Sequence, residues 1–184
     1  MEKTVIRSNR KTLSLEIGPQ GLIVRAPRRM SDAQIEAFLE SRQDWIRVHT
    51  EKYAARQAAV SGVEKLSPEG LQALVRAAKA EIPRRVAYYA PIVGVDYGRI
   101  SIRCQRSRWG SYSSKGNLNF NCLLMLAPPE VLDSVVVHEL CHRKEMNHSP
   151  RFYAEVLRVF PDYRRRNKWL KDNGRLLFAR LPEP

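Results

Sequence analysis

Between positions 138 and 148 the chain reads HELCHRKEMNH, which places three of its four histidines in one short stretch. In VLDSVVVHELCH, the residues Val131, Val135, His138 and His142 are spaced four, three and four apart, so they share one face of a helix with strongly apolar neighbours. His138 and His142 then lie one turn apart, and both imidazoles can reach one tetrahedral ion at about 2.1 Å. Glu139 is turned about 100° from that face, near the ion without ligating it, where a carboxylate can take a proton from a polarised water. These are the parts of metal-assisted hydrolysis.

His148 completes the set only if the chain turns back, because six more residues of helix would carry it about 9 Å past His142. Asn147 is the residue expected to make the reversal, in the left-handed conformation that ends helices. Ser149 and Pro150 then supply the N-cap and first position of a new helix. Glu145 is the rival third ligand, on the face of His138 and His142 if the first helix runs one turn further. Three protein ligands leave a fourth position to water, as in catalytic zinc sites, whereas structural sites close all four positions with protein. The fourth histidine, His49, falls on a long polar pattern and reads as a surface residue.

Other elements must hold this stretch in place. TVIRSNRKTLSLEIGPQGLIVRAP alternates apolar and polar residues on both sides of GPQG, giving strands near 4–8, 11–17 and 21–26 with a four-residue turn. Ser31 and Asp32 offer N-cap chemistry to one long helix reaching about Arg56, followed by a loop near 61–65. Ser67-Pro68 opens a second helix, which Pro83 should kink and Pro91 should end. RISIRCQ and NLNFNCLLML read as strands joined by the turn-rich RSRWGSYSSKG. Pro128 and Pro129 start the histidine helix. Strands, helices, strands and helices in that order make an α+β layout.

The chain has 184 residues, 43% of them hydrophobic, enough to bury a sizeable core. No apolar run approaches the roughly 18 residues of a membrane span, and MEKTVIRSNRK is no secretory leader, so a cytoplasmic, soluble protein is expected. Cys104, Cys122 and Cys141 are too few and too irregular for a disulfide framework or metal knuckle, and read as reduced thiols in or near the core. The formal charge of +13 makes a polyanion such as nucleic acid a plausible neighbour. No acidic residue occurs from Tyr97 to Pro129, where Arg99, Arg103, Arg106, Arg108 and Lys115 are interleaved with Trp109 and Tyr112; this is either a solvated strand face or a groove wall for an acidic ligand. A second basic run, Arg164 to Lys171, follows Asp162 and Tyr163, and Tyr163 is a candidate hydrogen-bond donor at the site. NLNFN is read as a sheet edge that could take an extended peptide, or simply as a strand with Leu118 and Phe120 inward and Asn117, Asn119 and Asn121 in water.

RSRWGSYSSKGNLNFN, LAPPEVLDSVVVHELCH, MNHSPRFYAEV and PDYRRR, in that order, resemble the YgjP-like metallopeptidase domain, which is related to the SprT-like zinc proteases. The resemblance spans about residues 100–170, and the preceding strands and helices look like the family's usual preface. One departure is visible: Tyr112 stands where the family pattern usually has a cysteine. The resemblance implies a small gluzincin-like fold whose mixed or antiparallel sheet packs on the H-E-x-x-H helix, with zinc held by His138, His142 and His148 and with Glu139 as catalytic base.

The expected organisation is an N-terminal strand-and-helix extension over 1–60 and a zinc metallopeptidase core over 61–184, continuous with each other. The expected function is hydrolysis of internal peptide bonds in a protein or peptide substrate, with nucleic acid as a further partner through the basic surface. The alternative is a nucleic-acid-binding module in which zinc is structural. Neither the oligomeric state nor the physiological substrate follows from the residues.

Overall fold

The computed structural model describes residues 2–182. The chain divides into two compact units, one up to Gly62 and one from Val63 onward.

In the first unit, β1 (Lys3–Ser8), β2 (Ser14–Gly18) and β3 (Gly21–Pro27) form a sheet in the order β1-β3-β2. β2 and β3 are antiparallel down to the pair Gly18↔Gly21, so the turn is the two residues Pro19 and Gln20, tighter than the expected four. Gly21 has φ 106°, a conformation that favours glycine. β1 runs parallel to β3. The alternation of β3 buries Leu22, Val24 and Ala26 against Ile35 and Leu39 of α1 (Asp32–Glu40). Ser31 caps α1: its Oγ accepts from Gln34 N, and Gln34 Oε1 accepts from Ser31 N, a reciprocal capping box.

One long helix to Arg56 was expected; two form. Ser41 Oγ donates to Phe38 O at 2.7 Å, competing with the backbone ladder, and α2 (Gln43–Val60) starts afresh. α2 buries no residue fully. His49 is half-buried, not a free surface group: its ring stacks on Trp45 at 3.9 Å and its Nδ1 meets Trp45 O at 2.8 Å.

In the second unit, α3 (Pro68–Val93) begins as expected, with Ser67 Oγ accepting from Gly70 N and Pro68 in the first turn. Pro91 does not end it. A proline in the last turn removes a single ladder bond, and the helix closes at Gly94, left-handed at φ 80°, whose N–H reaches Ala90 O. The sheet has the order β4-β6-β5: β4 (Ile100–Arg103) is parallel to the central β6 (Leu118–Asn121), and β5 (Gly110–Tyr112) is antiparallel to it. β5 lies inside the segment read as turns. The second half of NLNFNCLLML is a 3-10 helix, Cys122–Leu126, because Asn121 Oδ1 accepts from Leu123 N and starts a turn.

α4 (Pro129–Cys141) carries the first two histidines and is buried on almost every side, with Val131, Leu132, Val135, Val136, Val137, Leu140 and Cys141 all in the core. α5 (Pro150–Val159) and α6 (Tyr163–Ala179) pack beside it. A buried carboxylate fixes the rotation of α4 against α3: Asp133 accepts from Arg85 Nη1 on both oxygens, at 2.9 and 3.0 Å, and from Tyr89 Oη at 3.0 Å. Among the described residues no helix is long and apolar enough to cross a membrane.

Because Asp133 is only 8% exposed, Asp133→Ala should cost roughly 2–3 kcal/mol of stability, through the lost bonds to Arg85 and Tyr89, although Arg85 keeps its ion pair with Glu81 and partial contact with water. Chemical denaturation with an unchanged m-value checks this; a loss under about 0.5 kcal/mol would show that the clamp is not needed.

Candidate metal centre

α4 ends sooner than its pattern suggests. His142 is its C-cap, still right-handed at φ −63°, and the reversal is a tight turn in which Lys144 N and Glu145 N both donate to Cys141 O. Among the described residues no non-glycine has positive φ, so Asn147 is not left-handed and does not make the turn. The turn is tethered at Arg143, paired with Asp96 at 2.7 Å, and at Lys144, paired with Glu155 of α5 at 2.8 Å. Ser149 and Pro150 do open the next helix, Ser149 Oγ accepting from Phe152 N.

That reversal brings His148 back to the other two. The ligand atoms of His138, His142 and His148 all lie within 4.8 Å of one another, and His148 Nε2 is 3.0 Å from His138 Nε2. Phe152, fully buried, floors the group with its ring centroid 4.8, 4.5 and 4.9 Å from the three imidazoles in turn. Glu145 is not part of it: its backbone carbonyl instead accepts from His142 Nδ1 at 3.1 Å.

The donor set fits a divalent transition metal. His138 Nδ1 is occupied by Tyr163 Oη at 2.8 Å and His142 Nδ1 by the Glu145 carbonyl, so each ring is left with Nε2 as its ligating lone pair. Tetrahedral bonds of about 2.1 Å put ligand nitrogens about 3.4 Å apart, a few tenths of an ångström beyond the 3.0 Å spacing His138 and His148 already have. Burial, then the neighbouring His142 and His148, lower the His138 pKa to about 3, and burial lowers that of His142; both rings therefore present neutral lone pairs. Among the described residues no cysteine, aspartate or glutamate joins the three imidazoles, so the fourth position is not supplied by protein.

Glu139 is 5% exposed, and burial alone raises its pKa to about 8. It lies directly against β5: a Cβ on Gly110 would stand 2.5 Å from Glu139 Oε1 and 2.7 Å from its Cγ. Gly110 therefore makes the space the carboxylate occupies. The loop leading to it is held by Asn121, which donates to Gln105 O at 2.7 Å and Arg108 O at 2.8 Å. Asn121 is thus buried at 2% exposure rather than turned to water, while Leu118 and Phe120 do pack inward. Trp109 stacks on Phe178 at 4.4 Å, filling the space left by Gly174 on α6.

A hollow of about 230 Å³ opens here, lined by Arg108, Trp109, Gly110, His138, Glu139 and Tyr163 among others. Arg108 thus reaches the site, but Arg99 and Arg103 line a separate hollow beside Lys79, so the basic stretch does not form one wall. In the second basic run, which by composition would coat a solvated surface, Arg166 instead covers the Phe160 ring at 4.0 Å, pairs with Asp162 and donates to Glu130 O. β6 is not the sheet edge; β5, nearer Glu139, is. Tyr163 does sit at the site, behind His138. Gly110 and Phe152 escaped the sequence reading, since a glycine after tryptophan and a phenylalanine in an amphipathic helix each have commoner explanations.

A family model described as YgjP-like, metallopeptidase domain, matches residues 11–73 and 64–173 of the chain. No curated protein matches it. Among solved structures, it is similar to the metallopeptidase zymogen of Pyrococcus abyssi abylysin, at 21% identity and TM-score 0.46, over 51% of this chain and 96% of that one. It is also similar to the metallopeptidase zymogen of Methanocaldococcus jannaschii jannalysin, at 23% identity and TM-score 0.45, over 52% and 97%.

Two outcomes are expected. In metal-free protein Glu139 holds its proton more tightly folded than unfolded, so stability is whole below about pH 4.5 and falls as pH rises toward about 8. Metal-free Glu139→Gln lacks that loss, and should match the wild type near pH 4 yet exceed it by on the order of a few kcal/mol above pH 8, read by thermal melts. Identical pH profiles would contradict the burial argument. Separately, Gly110→Ala should keep the bound metal while lowering peptide hydrolysis at least about tenfold by displacing Glu139; an unimpaired variant would show that the close approach is immaterial.

Proposed function

This chain belongs to the YgjP-like metallopeptidase family, and from that premise we propose that it is a zinc-dependent endopeptidase in which His138, His142 and His148 hold the ion and Glu139 is the general base. The observation that carries the reading is the convergence of three imidazoles beside a buried carboxylate, with no fourth protein ligand among the described residues. When bound, zinc supplies a Lewis acid for the scissile carbonyl and lowers the pKa of water.

The chain's own residues do the rest. Tyr163 Oη engages His138 Nδ1, and with Nε2 on the ion Nδ1 would carry the proton that Tyr163 Oη accepts, which orients the ring. The carbonyl of Glu145 does the same for His142. Glu139, held protonated by burial, would return to the carboxylate form a base requires with a cation among the imidazoles beside it. Glu139 then accepts a proton from the attacking water and passes it to the amide nitrogen as the C–N bond breaks, leaving a carboxylate and an amine.

Action on internal bonds is supported by β5. As an edge strand beside Glu139, it offers backbone groups along which an extended internal segment can lie, with no need for a chain terminus. The structural-zinc alternative has no fourth protein ligand among the described residues to rest on.

Zinc-loaded wild type should cleave peptides blocked at both ends, and Glu139→Gln should retain about one zinc per chain while losing on the order of a thousandfold or more in kcat/KM. Mass spectrometry of the products and metal analysis of both proteins decide it. Unchanged turnover in Glu139→Gln would remove the residue from its role, and cleavage confined to peptides with a free terminus would make the enzyme an exopeptidase.

A further inference from the structure

A second hollow, of about 580 Å³, lies between α5 and α6. Tyr163 and Asn167, one turn apart on α6, line both it and the smaller hollow that holds His138 and Glu139. The two spaces therefore flank one shared wall, and a chain crossing the histidines can reach both. The far side is apolar: Tyr153, Ala154 and Leu157, successive positions on one face of α5. Tyr153 is 39% exposed, an aromatic ring left in water. Its centroid is 6.2 Å from that of His148 and 6.4 Å from that of Tyr163, so it joins the third histidine to the hollow. The lining contains no carboxylate, and its one ionic group is Arg164.

We propose that this groove is a substrate subsite that accepts a large apolar side chain, leucine, phenylalanine or methionine, from the peptide and rejects lysine and arginine. The assignment rests on the metallopeptidase reading above. Three features carry it. Its size suits one bulky side chain with adjoining backbone. Its shared wall with the Glu139 hollow, Tyr163 and Asn167, puts that side chain beside the bond to be cut. Its apolar floor under a lone arginine favours a neutral guest and repels a cationic one. Full burial of such a side chain should favour it over glycine by about 10- to 100-fold in kcat/KM.

Ala154 is exposed on α5, so a bulkier residue there fills the groove without entering the core. A mixed library of end-blocked peptides is digested with zinc-loaded wild type, Ala154→Trp and Arg164→Glu. Wild type should show one position enriched in large apolar residues. Ala154→Trp should lower the ratio of kcat/KM for a phenylalanine peptide over its alanine counterpart at least tenfold, and Arg164→Glu should raise the lysine-over-phenylalanine ratio. A wild type without enrichment, or the same profile in both variants, overturns the subsite while leaving hydrolysis intact.

If wild type cleaves nothing, the hydrolase reading fails and binding still decides the groove. A fluorescent, end-blocked phenylalanine peptide should bind zinc-loaded Glu139→Gln at least tenfold more weakly once Ala154→Trp is added. No binding, or binding indifferent to Ala154→Trp, overturns it.

Discussion

Two imidazole nitrogens 3.0 Å apart, both rings packed against the fully buried ring of Phe152, are the constraint around which the second unit is arranged. Burial holds the His138 pKa near 3, so this ring stays neutral, and a neutral imidazole nitrogen this close to a second one can share an N–H···N hydrogen bond with it or join it on one cation. A bound divalent cation would replace that contact with two metal–nitrogen bonds and would give Glu139 the positive neighbour that its burial otherwise denies it.

Holding it demands rigidity from elements that carry no chemistry. α4 is apolar nearly all round, so packing alone fixes its depth but only weakly its rotation; the Asp133 carboxylate, bonded to Arg85 and Tyr89, supplies the missing direction. Behind the turn that returns His148, Arg158 donates to the carbonyls of Ile92 and Val93 at the end of α3, and Lys144 shares Glu155 with it. On the other side, Asn121 clamps the loop before Trp109, and Gly110 brings backbone where any side chain would collide with the Glu139 carboxylate. Asp133 and Asn121 are buried and partnered, and the exposed Lys144 and Arg158 are partnered as well, as a preorganised site requires.

Much of this could be read from residue order, and the remainder shows where such reading stops. The spacing of His138 and His142, the need for a reversal before His148, and the cap at Ser149-Pro150 all follow from helical geometry and the local chemistry of serine and proline. The position of the reversal does not. It was placed at Asn147 on conformational preference, yet α4 stops at Cys141, because the doubled bond to Cys141 O and the ion pairs of Arg143 and Lys144 reward an earlier turn. Those pairs join residues far apart in sequence. β5 was hidden for a similar reason: three residues, Gly-Ser-Tyr, have no periodicity of their own and are a strand only because β6 lies beside them. The run CLLML looks equally well like strand or helix, and Asn121 decides it with one side-chain bond. The sequence offers Tyr163 as a hydrogen-bond donor at the site, but its partner, His138, is 25 residues away and visible only in three dimensions.

Zinc K-edge absorption spectroscopy on the loaded protein tests the central claim most directly, since it counts the ligands and identifies their atoms. Three imidazole nitrogens at about 2.0–2.1 Å plus one exchangeable oxygen donor are expected, with one nitrogen lost in His148→Ala. Four protein ligands, a sulfur in the shell, or a spectrum unchanged by His148→Ala would contradict it.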